Sequence, residues 1–238
     1  MQRLFDMNTR IRSTGRRLAY GAGLAAGACA AYVGASWLRY GHPPAATGDT
    51  RDPLLDRFMP VYDVVDRYQA TVAAPAEIAF AAACEIDLRQ SAIIRAIFTG
   101  RELLLRSAPD MKTRPPGLIA WTRTMGWGVL ADVPGREIVV GAVTRPWDAN
   151  PVFRAIPAED FAAFDEPDYV KIAWTMRADA AGGQRCVVRH ETRAIATDPT
   201  ARRKFRIYWS FLSPGIIGIR RVALRLVKNE AERRMQVQ

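Results

Sequence analysis

The apolar positions of the chain change period along its length, and each period predicts a different kind of element. From Tyr62 onward the pattern alternates, with Val64, Tyr68, Ala70 and Val72 on one side and polar residues on the other. Strict alternation of this kind is typical of a half-buried β-strand. Because the same alternation returns later in the chain, the sequence predicts a sheet.

Two short helical runs follow this first strand. Pro75 opens the first run, over residues 75–86, because proline suits the first position of a helix. The second run extends from Ser91 to Leu105. Residues 106–120 are rich in proline and predict a loop.

An antiparallel meander is predicted after this loop, because alternating segments are separated by short turn sequences. The predicted strands are residues 129–132, 137–144, 161–165, 169–178 and 185–196. The last strand places five residues on its inward face: Cys186, Val188, His190, Thr192 and Ala194. Its outward residues are Arg185, Arg189, Glu191 and Arg193.

A long carboxy-terminal helix closes the pattern. Asp198 can cap free backbone amides, and Pro199 suits the first helical position, so the helix is predicted to begin there. Pro214 lacks an amide donor, so the helix is expected either to kink or to restart with Ser213 as a new cap. One apolar face is defined by residues at helical spacing: Phe205, Tyr208, Trp209 and Leu212.

This order predicts an α+β fold, in which a curved antiparallel sheet surrounds one long carboxy-terminal helix. A single sheet around one helix cannot fill its own interior unless the inward side chains are large, so a cavity is expected between them. The predicted domain spans residues 61–238, and residues 39–60 form a linker rich in Pro and Gly.

The amino-terminal region has a different character. Residues 18–38 contain no charge, are long enough to cross a bilayer and follow five arginines in residues 1–17. They predict a single-pass transmembrane helix with the domain on the non-cytoplasmic side, the alternative being a cleaved signal peptide. Gly23 and Gly27 form a GxxxG pattern, which would permit dimerisation within the membrane.

The net charge of +10 lies at the two ends of the chain. Residues 1–17 sum to +4 and residues 198–238 to +7, which leaves −1 for the middle. Attraction to an anionic membrane surface suits this distribution. No nucleic-acid motif accompanies the charge, so no nucleic-acid partner is predicted. The sequence also contains no cofactor motif, and with 2 histidines no metal site is predicted.

Several strings carry a resemblance to a known superfamily. They are residues 72–77, 126–130, 135–141, 161–167, 191–193 and 196–199, with Tyr208 and Trp209 on the terminal helix. Together with the element order, they resemble the SRPBCC superfamily, which groups START, Bet v 1 and polyketide-cyclase-like proteins. The resemblance covers about residues 61–235 and implies a helix-grip fold. It implies little about function, because this superfamily includes carriers, receptors and enzymes.

The candidate ligand-binding residues come from the inward faces. His190 is a polar residue on a face of small and apolar neighbours, and Arg145 could pair with an anionic head group. Each has a structural alternative, since His190 could be a satisfied core histidine and Arg145 a surface residue. The other candidates are Trp147, Trp174, Met176, Thr192, Phe205, Tyr208 and Trp209.

Three functions are compatible with these features. The favoured one is membrane-anchored, non-catalytic binding of a hydrophobic small molecule or lipid in the cavity, since no catalytic set is apparent. The second is a cyclase- or dehydratase-like enzyme that uses His190 as an acid or base with Arg145 or Tyr208. The third is an interaction module that docks through the basic start of the terminal helix, at Arg202, Arg203 and Arg206.

Overall fold

The computed structural model describes residue 23, residues 26–106 and residues 115–236. These residues belong to two units, of which one ends at Arg39 and the other begins at Tyr40. In the first unit, residues 26–39 are helical. All elements described below belong to the second unit.

A five-stranded antiparallel sheet forms the centre of the domain. Its strands are β1 (Val64–Val72), β2 (Gly128–Val133), β3 (Glu137–Thr144), β4 (Val170–Ala180) and β5 (Cys186–Ala196). The spatial order is β1-β5-β4-β3-β2. The first strand therefore pairs with the last, so the meander is closed by a long-range contact that local periodicity does not reveal.

The helices surround this sheet. They are α1 (Pro53–Asp56), α2 (Ala76–Glu85), α3 (Ala92–Leu105), α4 (Leu118–Thr124), α5 (Ala158–Phe161) and α6 (Pro199–Gln236). Two 3₁₀ turns, Gly48–Thr50 and Leu88–Gln90, precede α1 and α3. The α+β class and the long terminal helix agree with the sequence-based prediction.

The start of α6 is fixed by its cap. Asp198 accepts hydrogen bonds from the backbone amides of Thr200 at 2.7 Å and Ala201 at 3.1 Å, which satisfies two donors at the helix end. The helix then continues through Pro214 to Gln236, so the expectation of a restart at Ser213 is wrong. Packing of the apolar face against the sheet and α3 offsets the hydrogen bond that proline removes.

Each face of the sheet has its own core. The inner face, toward α6, packs with α2 and the end of α6 through buried residues that include Val140, Trp174 and Val227. The outer face is covered by α1 and α5, which contribute Leu55 and Phe161, both fully buried. The sheet is therefore a middle layer with apolar contacts on both sides.

Three local predictions need correction. Residues 161–165, predicted as a strand, do not form one: Phe161 ends helix α5, which follows Pro157 and has two acidic residues in its first turn. Residues 118–120, the end of the predicted loop 106–120, belong instead to helix α4. Within residues 39–60, interpreted as a linker, the part from 54 to 59 packs on the outer face, where Leu55 and Met59 are buried.

The transmembrane prediction for residues 18–38 lies partly outside the described residues, since residues 18–22, 24 and 25 are not among them. Within the described part of the chain, no helix combines the length and hydropathy required to cross a membrane. The prediction of a membrane span is thus without structural support.

Candidate functional site

A cavity of about 390 Å³ lies between the inner face of the sheet and helices α3 and α6. The sheet supplies Val64, Ile172, Thr192 and Ala194. Helix α3 supplies Ile97, Phe98, Gly100, Arg101 and Leu104. Helix α6 supplies Phe205, Tyr208, Trp209, Phe211, Leu212, Gly215, Ile216, Ile219 and Arg220. Trp127, Pro146 and Phe153 complete the wall.

The spacing of the α6 residues explains why this helix forms one side of the cavity. Tyr208, Leu212, Ile216 and Ile219 recur at intervals of three and four, so one apolar stripe faces the same space. Gly215 lies on this stripe, and a Cβ there would approach Ile97 of α3 to 3.1 Å. The two helices are therefore in close contact at this point.

Part of the cavity wall reaches the protein surface. Leu104 is 66% exposed and Phe211 is 61% exposed, although both line the cavity. Exposed apolar side chains at the edge of an apolar hollow are typical of the entrance to a ligand-binding site. We define this entrance, at Leu104 and Phe211, as the cavity mouth.

A polar cluster borders the cavity where α6 meets β1 and β5. Arg220 donates to the carboxylate of Asp66 at 2.6 Å, and both side chains are largely buried. Thr192 lies opposite Asp66 in the β1–β5 pairing and lines the cavity. Burial, followed by the neighbouring Asp66 carboxylate, raises the pKa of Tyr68 to about 12. Because Asp66 carries the opposite charge, Arg220 has its counter-charge within the wall.

His190 lies behind this wall. Its Nε2 is 3.1 Å from the hydroxyl of Thr192, and the ring packs 5.9 Å from the ring of Trp174. Burial, followed by the positive charge of Arg220, lowers the pKa of His190 to about 3. The imidazole is therefore neutral at physiological pH and a weak base. Thr192 does not titrate in the neutral range, so this pair has little capacity for acid–base catalysis.

The predicted site residues separate into two groups. Thr192, Phe205, Tyr208 and Trp209 line the cavity. Trp174 and Met176 are buried in the inner core and do not line the cavity. The alternating pattern put them on the correct face of β4, but it does not indicate how far along the strand the core ends and the cavity begins.

Arg145 and Trp147 also lie off the cavity wall. Arg145 is exposed, pairs with Asp148 at 3.4 Å, and its guanidinium lies 5.5 Å from the ring of Tyr169. Trp147 packs beside Lys204, whose ammonium is 5.3 Å from its ring. The residue between them, Pro146, does line the cavity. Because Arg145 does not line the cavity, it is not placed to bind the head group of a ligand in the cavity.

The basic start of α6 is partly occupied by internal contacts. Arg202 pairs with the buried carboxylate of Asp63 at 2.8 Å and lies over the ring of Tyr40 at 6.0 Å. Arg203 is exposed. These contacts show that Arg202 stabilises the domain, which weakens the case for docking through this end of the helix.

Sequence reasoning missed the two charged residues of the wall, Arg101 and Arg220, and the partner Asp66. Arg101 falls on the apolar face of α3, at positions 94, 97, 98, 101 and 104, and this position within a hydrophobic stripe is a signal that could have found it. Among the described residues, no three His, Cys, Asp or Glu side chains come close enough together to hold a metal ion.

Comparison with known proteins adds little to this geometry. No protein-family model and no curated protein matches the sequence. Among solved structures, a similar chain is the Zhui aromatase/cyclase from Streptomyces sp. R1128, at 14% identity and a TM-score of 0.23. The match covers 72% of this chain and 94% of that one. A likeness this low supports no conclusion about function.

Proposed function

We propose that the domain binds a hydrophobic small molecule or a lipid, without catalysis, in the cavity between the sheet, α3 and α6. The observation that supports this function is the cavity itself, which has a volume of about 390 Å³ and a largely apolar wall. This volume lies within the range of about 300–1,000 Å³ that is usual for small-molecule sites.

The cavity is difficult to explain as a packing defect. Protein interiors are close-packed, and an unfilled apolar space costs free energy in proportion to its volume. Many of the wall residues are large, including three aromatic side chains of α6: Phe205, Tyr208 and Trp209. Side chains of this size could have filled the space if a solid core were the only requirement, so a bound apolar ligand is the simpler explanation.

A carrier or sensor role suits the site better than catalysis. The low pKa of His190 leaves it a poor base, and Arg220 is held by Asp66. Arg220 is thereby committed to Asp66, and His190 to Thr192. A ligand that enters would meet mainly apolar surface, and burial of that surface would provide most of the binding free energy.

The test is to fill the cavity. Ile216→Trp on α6 should occupy part of the space and lower the affinity for an apolar fluorescent probe such as 1-anilinonaphthalene-8-sulfonate by about tenfold. Asn229→Trp is the matched control, because residue 229 is exposed on the same helix and off the wall. Organic extraction of the purified protein followed by mass spectrometry should identify a bound molecule.

Equal probe binding by the wild type and the Ile216→Trp variant, with nothing extracted from the wild type, would contradict the proposal. Folding of each variant is checked by circular dichroism and by the midpoint of chemical denaturation. A folded Ile216→Trp variant that binds no probe would support it.

We also propose that residues 18–38 attach this domain to a membrane, which rests on their uncharged composition and the arginines that precede them. The full chain should sediment with membranes after an alkaline carbonate wash, whereas a chain that begins at residue 40 should stay in the supernatant. A full chain released by carbonate would contradict the span. Gly27→Ile should then weaken any self-association in detergent, if the glycine pattern pairs helices.

A further inference from the structure

The charge balance of the cavity wall indicates the kind of molecule that it holds. Two charged residues line the cavity, Arg101 on α3 and Arg220 on α6. Arg220 has its counter-charge, because Asp66 accepts from it at 2.6 Å. Arg101 has no carboxylate within ion-pair distance among the residues that the structure describes. The described wall therefore carries one uncompensated positive charge.

The lack of a carboxylate partner among the described residues distinguishes Arg101 from other arginines that are shielded from solvent in the domain. A carboxylate partner is present for Arg67, Arg177, Arg189, Arg193, Arg220 and Arg234. Arg101 is likewise half-buried, yet it faces an apolar cavity. A guanidinium that is partly removed from water without a partner costs free energy, which a ligand anion would recover.

The position of Arg101 matters as much as its charge. It lies one turn before Leu104, which is 66% exposed at the cavity mouth. Farther in, the wall consists of residues such as Ile172, Ala194 and Ile219. A ligand with a charged head at Arg101 would extend its apolar part toward the sheet.

We propose that the ligand of this cavity is an amphipathic monocarboxylate, such as a fatty acid, whose carboxylate pairs with Arg101 while its apolar part fills the cavity. This inference rests on the proposed binding function and specifies its ligand class. A guanidinium forms two parallel hydrogen bonds with a carboxylate, and one such pair would neutralise the charge of Arg101.

The experiment compares an acid with its own ester. Binding of cis-parinaric acid and of methyl cis-parinarate is followed by fluorescence at pH 8, where the acid is ionised and the ester is not. The wild type should bind the acid about tenfold more tightly than the ester, since a charge-assisted hydrogen bond adds about that factor. Arg101→Gln should bind both probes with the affinity that the wild type has for the ester.

Two further variants separate charge from position. Arg101→Lys keeps the charge but loses the paired hydrogen bonds, so it should keep part of the preference for the acid. Arg95→Gln removes the same charge from an exposed position of α3 that is off the cavity wall, and it should leave the preference unchanged. A higher salt concentration should weaken binding of the acid more than binding of the ester.

The outcomes distinguish this inference from the proposed function. The wild type could bind the acid and the ester with equal affinity, while Ile216→Trp blocks binding of both. This result would overturn the role of Arg101 but would still support binding in the apolar cavity. A preference for the acid that survives in Arg101→Gln would overturn it as well. Failure of both probes to bind would contradict the proposed function itself.

Discussion

The two faces of the sheet differ in how completely the covering elements fill the space against them. On the inner face, α3 and α6 leave an apolar cavity of about 390 Å³. On the outer face, residues 49–56 bring polar and charged groups against the strands, and a smaller hollow of about 140 Å³ is lined largely by polar and charged residues. Its walls include Asp52, Arg67, Thr175, Arg177 and Arg189.

On the outer face, buried charged groups are paired with one another. Arg193 of β5 is fully buried there and donates to Glu191 at 2.7 Å, to Asp56 at 2.6 Å and to the carbonyl of Met59 at 2.7 Å. Its guanidinium also lies 4.7 Å from the ring of Tyr62. The charged groups of this network have partners, whereas Arg101 of the inner wall has no carboxylate partner among the described residues, which is the pattern expected of a ligand-binding face.

The largest effect is expected from breaking the outer network. Arg193→Met should lower the free energy of unfolding by about 3–5 kcal/mol, because the carboxylates of Glu191 and Asp56 would lose their buried partner. The measurement is chemical denaturation. Arg185→Met is the control, since Arg185 is exposed before β5 and its loss should change stability by about 0.5 kcal/mol or less. A cost below about 1 kcal/mol for Arg193→Met would show that the network contributes little.

A smaller loss is expected from crowding the outer face. Gly141 of β3 has no room for a side chain, because a Cβ would lie 2.5 Å from Leu130 and 2.8 Å from Phe161. Gly141→Ala should therefore cost about 1–3 kcal/mol through overpacking. Adding Phe161→Leu to this variant should cost less than the sum of the two single changes. Strict additivity in thermal or chemical denaturation would mean that the side chains do not meet.

Matched truncations on the two faces compare their packing directly. Val139 is fully buried on the outer face, and Val64 borders the inner cavity. Val139→Ala should cost about 2 kcal/mol and Val64→Ala about 1 kcal/mol, because a side chain beside an existing void has fewer contacts to lose. Equal losses in denaturation, measured without ligand, would indicate that the cavity is closed in solution.

The smallest effect concerns pH. Burial, followed by the neighbouring charge of Asp52, raises the pKa of Glu137 from 4.5 to about 7. The folded state therefore holds this proton more tightly than the unfolded chain, so the contribution is favourable below about pH 4.5 and is lost as the pH rises through about 7. Glu137→Gln should remove this loss, so the free energy of unfolding should change less between pH 5 and pH 8 in the variant than in the wild type. An identical pH dependence of the denaturation midpoint in both proteins would contradict the assignment.

Much of the fold follows from local patterns. Alternation predicted β1 and the last two strands, and Asp198 with Pro199 predicted the start of α6. The same reasoning placed Phe205, Tyr208 and Trp209 on the face of α6 that lines the cavity. These predictions succeeded because side-chain periodicity and helix capping depend on residues that are close in sequence.

The burial of charged residues on the outer face could not be predicted from local patterns. Alternation put Glu191 and Arg193 on the side of β5 opposite the helix, and charged residues there suggested contact with solvent. The structure instead buries both, with Arg193 held by residues 56–62, which themselves have no periodic pattern. A short irregular segment that packs through one or two apolar anchors, such as Leu55, leaves almost no signal in the sequence.

The sequence by itself determined the strands of the sheet, helices α2, α3 and α6, and the faces that their side chains share. Only the tertiary structure decided that Asp66 meets Arg220, that His190 lies behind Thr192, and that Arg101 faces the cavity with no carboxylate beside it in the described part of the chain. The reason is physical: a charge acquires its partner and its solvation from residues far along the chain, so neither can be assigned before the sheet and the helices pack together.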